Sequence, residues 1–142
     1  MTDPSVGDSA VELIQRAFGR YRERDFDALA GMFHPEVVAV TAVPLGAKHV
    51  YEGRSEVLGM LRERESRYAD YQAEARGFTA TPDGRVLAEG FAHYRPASGS
   101  QGVTQAFFWL CEVRDGRIVR WEAFTDRSEA LTAAGLQPDP PG

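Results

Sequence analysis

Two turn sequences, Thr81-Pro82-Asp83-Gly84 and Asp115-Gly116, each stand between long runs rich in β-branched and aromatic residues. Pro and Gly at these places reverse the chain tightly, and Asp-Gly supplies the positive-φ pair that a two-residue hairpin needs. The flanking runs are 71–81, 85–95, 103–114 and 117–125, with Pro96-Ala-Ser-Gly-Ser100 between the middle two. The second half of the chain is therefore committed to an antiparallel meander of four strands.

The first half reads differently. Ala10, Leu13, Ile14, Ala17, Phe18 and Tyr21 follow helical spacing behind Ser9-x-x-Glu12, a candidate capping box. Asp25 caps a short second helix over 26–33, and His34-Pro35 ends it, because proline disfavours helical geometry at the residue before it. Strand-like segments follow at 36–43 and 47–51, separated by Pro44-Leu-Gly46. A third helix starts after Gly53 with Ser55 as its cap and Val57, Leu58, Met60 and Leu61 on its apolar stripe. Ser128 caps a last short helix that stops at Gly135. Arg62-Glu-Arg-Glu-Ser-Arg67 alternates in sign and reads as a solvated helix face.

Helices early and hairpins late make an α+β pattern: a curved antiparallel sheet wrapped around three helices of the N-terminal half, forming a cone whose open end suits a small molecule. At 142 residues there is room for one domain, expected over 9–136, between a flexible stretch 1–8 and a Pro-rich, disordered tail 137–142. The net charge of −5 and a pI near 5.2 argue against nucleic acid and anionic membrane as partners. No apolar run is long enough to span a bilayer, and the polar start Met1-Thr-Asp-Pro carries no signal-peptide pattern, so the expected location is cytoplasmic. One cysteine excludes an internal disulfide, and three scattered histidines lack the spacing of a metal motif, so no metal or other cofactor is expected.

The chain also resembles a family. Leu13-Ile-Gln-Arg-Ala-Phe, Arg24-Asp-Phe-Asp-Ala-Leu, Met32-Phe-His-Pro-Glu, Tyr51-Glu-Gly-Arg-Ser-Glu, Ser100-Gln-Gly-Val, Val113-Arg-Asp-Gly-Arg-Ile-Val-Arg120 and Ala123-Phe-Thr-Asp-Arg-Ser-Glu-Ala-Leu131 occur in an order similar to SnoaL-like polyketide cyclases and ketosteroid isomerase-like proteins of the nuclear transport factor 2-like superfamily. The resemblance covers about 9–136. It implies the cystatin-like α+β barrel and a homodimer through the outer sheet face. It does not name a reaction, because one fold carries many.

A steroid-isomerase mechanism uses an Asp base with a Tyr and a protonated Asp at the oxyanion. Aligned with that family, the three positions fall near Thr41, Ala17 and Trp109, none of which carries the needed group. An epoxide hydrolase of this fold would use an Asp-Arg-Asp set, and no such set lies on inward strand positions.

Strand parity then selects candidate lining residues. The resemblance places Gln105, Phe107, Trp109 and Cys111 inward on one strand, and Val119, Trp121, Ala123 and Thr125 on the next. On 85–95, Ala88, Gly90 and Ala92 look too small to fill a core, so Leu87, Glu89, Phe91 and His93 are expected inward. Glu89 and His93 are the expected catalytic pair for proton transfer, with pairing of Glu89 to Arg76 or Arg120 as the competing reading. Trp109, Trp121, Phe107, Met60, His49, Tyr51 and Thr41 are the expected substrate-binding residues. His34 reads as structural, Asp126-Arg127 as an ion pair or cap, and Cys111 as a buried apolar filler. Ala106, Phe108, Leu110, Ile118 and Phe124 fall on the opposite face, an apolar surface that suggests a second copy.

Two functional classes follow. One is a cofactor-independent isomerase, cyclase or dehydratase acting on a hydrophobic, polyketide-like or carbonyl-bearing molecule; the other is a non-catalytic ligand-binding or association module. A transport-adaptor role has no motif to support it.

Overall fold

The computed structural model describes residues 5–42, 48–96 and 101–136. Helix α1 (Ser5–Arg22) leads into α2 (Phe26–Met32), then strands β1 (Phe33–Ala42) and β2 (Lys48–Glu52), and helix α3 (Arg54–Arg67). Strands β3 (Tyr68–Ala80), β4 (Val86–Pro96), β5 (Val103–Arg114) and β6 (Arg117–Phe124) follow, then α4 (Arg127–Ala133). The expected turns at 44–46 and 97–100 and the tail 137–142 lie outside the described residues.

The six strands form one sheet in the order β2-β1-β6-β5-β4-β3. All neighbours are antiparallel except β1 and β6, which run parallel. The fold is thus α+β, with α1, α2 and α3 on one face of the sheet. The β5–β6 hairpin turns through Asp115 and Gly116, both at positive φ (53° and 74°). That matches the right-handed twist of the strands it joins. Asp25 caps α2 by accepting from the Ala28 N–H at 3.1 Å.

Local boundaries differ from expectation in instructive ways. α1 begins at Ser5, so Ser9 lies inside the helix instead of capping it. Asp126, not Ser128, caps α4, accepting from Glu129 N–H at 2.8 Å. His34 and Pro35 belong to β1, and the β1–β6 register shifts between Phe33 and Val38. A proline removes a ladder donor, so the strand absorbs it at an irregular stretch.

Two apolar clusters straddle the sheet. The larger joins α1, α2 and α3 to Phe33, Val37 and Ala39 of β1, Val86, Ala88 and Ala92 of β4, Phe107, Trp109 and Cys111 of β5, and Ile118 and Ala123 of β6. The smaller lies on the other face: Leu87, Phe108, Leu110 and Phe124 pack against Ala130, Leu131 and Ala134. Helix α4 therefore covers much of the outer apolar surface that the sequence left bare. The premise for a dimer through that face is corrected accordingly. Among the described residues the exposed large hydrophobics are Val50 and Val103.

Parity also needs two corrections. On β4 the residues facing the helices are Val86, Ala88, Ala92 and Tyr94, so Leu87, Glu89, Phe91 and His93 point outward. Small residues are needed inside at this point because chain comes close. A Cβ on Gly90 would lie 1.9 Å from the Glu74 carbonyl oxygen, where β3 bulges between Ala75 and Gly77. On β6 the pairing shifts between Glu112↔Arg120 and Val113↔Ile118, leaving Val119 as the extra residue. Beyond that bulge the alternation inverts, which turns Ile118 into the main cluster, against the outward side expected for it. Thr125 lies past the end of β6 and is exposed.

Candidate functional site

A partly enclosed cavity of about 60 Å³ sits between the helices and the inner sheet face. α1 contributes Ala17, Phe18 and Tyr21, the helical stripe carried to its last turn. α2 contributes Leu29, and α3 contributes Val57, Met60 and Leu61. The sheet supplies Phe33, Ala39, Val40 and Thr41 from β1, Ala73 from β3, Phe107 and Trp109 from β5, and Trp121 and Ala123 from β6.

Six of the sixteen lining residues are aromatic. Phe107 and Trp109 lie two apart on β5 and therefore share a face. Their rings stack at 5.7 Å and 19°. Phe18 meets Trp109 edge-on at 4.9 Å and 68°, and Trp121 at 5.0 Å. Such offset and edge-to-face pairs fix ring orientation beyond what area burial alone would do. Among the lining residues, Tyr21, Thr41, Trp109 and Trp121 carry polar side-chain atoms, and the Tyr21 hydroxyl is fully buried. Thr41 donates to the His49 carbonyl at 3.5 Å, the outer limit of a hydrogen bond. None of the sixteen lining residues carries a carboxylate, imidazole, amine or guanidinium.

The expected site residues divide. Thr41, Met60, Phe107, Trp109 and Trp121 line the cavity. His49 and Tyr51 do not. They sit on edge strand β2, opposite Thr41 and Ala39 in register, one strand beyond the wall. His49 is exposed, and Tyr51 is half-buried against the main cluster. Glu89 and His93 lie on the outer face, across the sheet from the cavity. Glu89 accepts from Arg127 of α4 at 2.5 Å, not from Arg76 or Arg120. Arg76 instead lies over the Phe91 ring and 3.5 Å from Glu74. His93 Nδ1 is 2.7 Å from Thr104 Oγ1, and its Nε2 is 4.0 Å from Asp70.

Tyr21 was legible only as one more apolar position of α1; it lines the cavity because the stripe's last turn reaches it. Leu29, Phe33, Val40 and Ala73 come from three separate elements, α2, β1 and β3, which no local pattern connects. Burial pushes the Cys111 thiol up, away from nucleophilic use. Burial also raises the Tyr94 phenol, and the neighbouring Tyr68 and Tyr71 add to that shift. Among the described residues no group of three or more His, Cys, Asp or Glu is placed to hold a metal. No helix among them is long and apolar enough to cross a membrane.

Comparison with known proteins fits this geometry. The SnoaL-like domain model matches residues 14–121. Among solved structures, an NTF2-like protein of unknown function from Burkholderia pseudomallei K96243 superposes with a TM-score of 0.70 at 18% identity, covering 87% of this chain and 95% of that one. TerC, co-crystallised with polyporic acid, gives 0.70 at 21% identity over 89% and 98%. An LEH-like epoxide hydrolase from M. tuberculosis gives 0.66 at 20% identity over 89% and 90%. At these identities the likeness is one of fold. No curated protein matches the sequence.

Proposed function

The chain belongs to the SnoaL-like domain family, and on that premise we propose that it binds an uncharged hydrophobic small molecule in the cavity between α1, α3 and the sheet, without side-chain acid–base catalysis there. The observation that carries this reading is the lining itself: sixteen residues, aromatic and aliphatic, with hydroxyls and indole N–H groups as their polar atoms. Apolar walls with a few placed polar groups are the usual make-up of a small-molecule pocket. Family resemblance to proteins with catalytic cavities also supports the location.

The enzyme reading needs a proton-transferring group within hydrogen-bond reach of the ligand. Glu89 and His93 are separated from the cavity by the sheet, and Tyr21 is the one titratable group on the wall. An isomerase, cyclase or dehydratase using this cavity would have to work through that phenol.

The chain's two tryptophans both line the cavity, so intrinsic fluorescence reports on it directly. Toluene should change that fluorescence saturably and raise the melting temperature, since a ligand held only by the folded state stabilises it by mass action. Ala123→Leu, which fills the cavity, should abolish both effects. A wild-type protein indifferent to saturating toluene would overturn the reading.

A further inference from the structure

We propose that the outer face of the sheet carries a second site, separate from the cavity, in which the Thr104 hydroxyl is a nucleophile activated by His93 and backed by Asp70, and that it accepts small acyl groups from activated carboxylic esters.

The strand register builds the site. Gln72, His93 and Thr104 are direct cross-strand partners on β3, β4 and β5. Asp70 stands two residues before Gln72 and so shares its face. Three adjacent strands thus line up a carboxylate, an imidazole and a hydroxyl on the side away from the cavity. Thr104 Oγ1 is 2.7 Å from His93 Nδ1, the reach at which a base takes a hydroxyl's proton. His93 Nε2 is 4.0 Å from Asp70 Oδ2, and Gln72 Nε2 donates to Asp70 Oδ1 at 3.3 Å, which orients the carboxylate. With the ring proton on Nε2, facing that carboxylate, Nδ1 is left as the acceptor. A hydroxyl, imidazole and carboxylate in this sequence of contacts recur on unrelated folds and are recognised by geometry, not by chain order.

The surroundings suit the same chemistry. A Cβ at Gly102 would lie 3.0 Å from His93 Cε1 and 3.2 Å from Nε2, so glycine lets the chain lie against the imidazole edge and limit its rotation. The His93 and Asp70 side chains are 41% and 39% exposed and Thr104 is exposed, so an ester reaches the hydroxyl without any part of the fold opening. Phe91 and Ala106 pair one row along on the same face, an apolar floor for a short acyl chain. In the transfer, Thr104 Oγ1 bonds to the ester carbonyl carbon as its proton passes to His93 Nδ1. The ester's C–O bond then breaks, and the imidazolium returns the proton to the departing oxygen. The products are an acyl ester of Thr104 and the free alcohol or phenol. Asp70 is a positioning residue that offsets the imidazolium charge between the two steps. Proton transfer to a placed base contributes about 10²–10⁴-fold, so the expected acylation is slow.

4-Nitrophenyl acetate on the full chain at pH 7, followed by peptide mass mapping, tests this. Acetyl should appear on Thr104 ahead of Lys48, the chain's one lysine. Thr104→Val should remove it from that peptide, and Thr104→Ser, which keeps a hydroxyl, should retain it. His93→Gln should slow acetylation at position 104 at least tenfold. Asp70→Asn should slow it about threefold, and Asp70→Glu, one methylene longer across the 4.0 Å gap, should restore it, with the melting temperature the same in both. Acetyl found on Lys48 and not on Thr104 overturns the inference. So does acetylation of Thr104 that is indifferent to His93→Gln in a protein folded by circular dichroism. Neither result bears on the cavity, whose toluene response is read separately.

Discussion

The two faces of β4 and β5 differ more than their alternating sequence suggests. Inward, Trp109 and Phe107 build an aromatic wall beside Ala88 and Ala92, and the titratable groups there are the Tyr94 phenol and the Cys111 thiol, both pushed up by burial. Outward, the next residues along the same strands carry the charge: Glu89 with Arg127, His93 with Thr104 and Asp70, and Arg76 from β3 over Phe91. One residue of displacement along a strand separates an apolar, shaped interior from a face that carries paired polar groups beside the α4 contact. The lesson is that ionisable side chains within a few ångströms of a cavity by sequence can be chemically remote from it, because a sheet stands between.

Experiments can break that contrast by degrees. The largest effect is expected inside: Trp109→Ala should cost about 3–5 kcal/mol in denaturant unfolding, the usual range for deleting a large buried aromatic. Gly90→Ala comes next. Its methyl would meet the Glu74 carbonyl oxygen, so the β3 bulge must move, at a cost of about 1–3 kcal/mol read by the same measurement.

The outer side should respond to pH. Arg85, followed by Thr81, holds the Asp83 carboxyl at about 2, below its ordinary value. A folded-state pKa depressed in this way gives stability that is present above about pH 4 and is lost as pH falls towards 2. Asp83→Asn should therefore flatten the melting-temperature profile between pH 4 and 2. The smallest effect belongs to Glu89→Gln. Its ion pair is partly exposed, so stability should fall by about 1 kcal/mol or less, and probe binding in the cavity should not change. A Glu89→Gln protein that lost ligand affinity would contradict the separation of the two faces.

The order of elements was readable because it rests on local chemistry. Thr81-Pro-Asp-Gly84 and Asp115-Gly116 mark hairpins, and the helical stripe from Ala10 to Tyr21 needs no partner to be seen. The inward set on β5 came from the family resemblance, since Phe107, Trp109 and Cys111 share one parity but Phe108 and Leu110 on the other are just as apolar. Assignment failed where packing overrides pattern. On β4 bulk pointed the wrong way, because Leu87 is claimed by α4, Phe91 is shielded by Arg76, and Gly90 answers to a close backbone contact. At Ile118 an extra residue, Val119, resets the alternation, and nothing in the local sequence announces a bulge. The cavity was only half visible for a related reason: it is assembled from seven elements, and periodicity describes one element at a time.

Helix α4 has a consequence for how the chain comes into being. Its cap at Asp126, the Leu136 N–H bonded back to the Leu131 carbonyl at 2.8 Å, and the Arg85 guanidinium on the Ala133 carbonyl at 3.0 Å fasten it across the sheet's back. All six strands leave the ribosome before that fastener does. Until it arrives, Leu87, Phe108, Leu110 and Phe124 stand uncovered, so a nascent or prematurely stopped polypeptide ending before residue 127 would present a sticky sheet to the crowded translation machinery, while about ten more residues suffice to hide it.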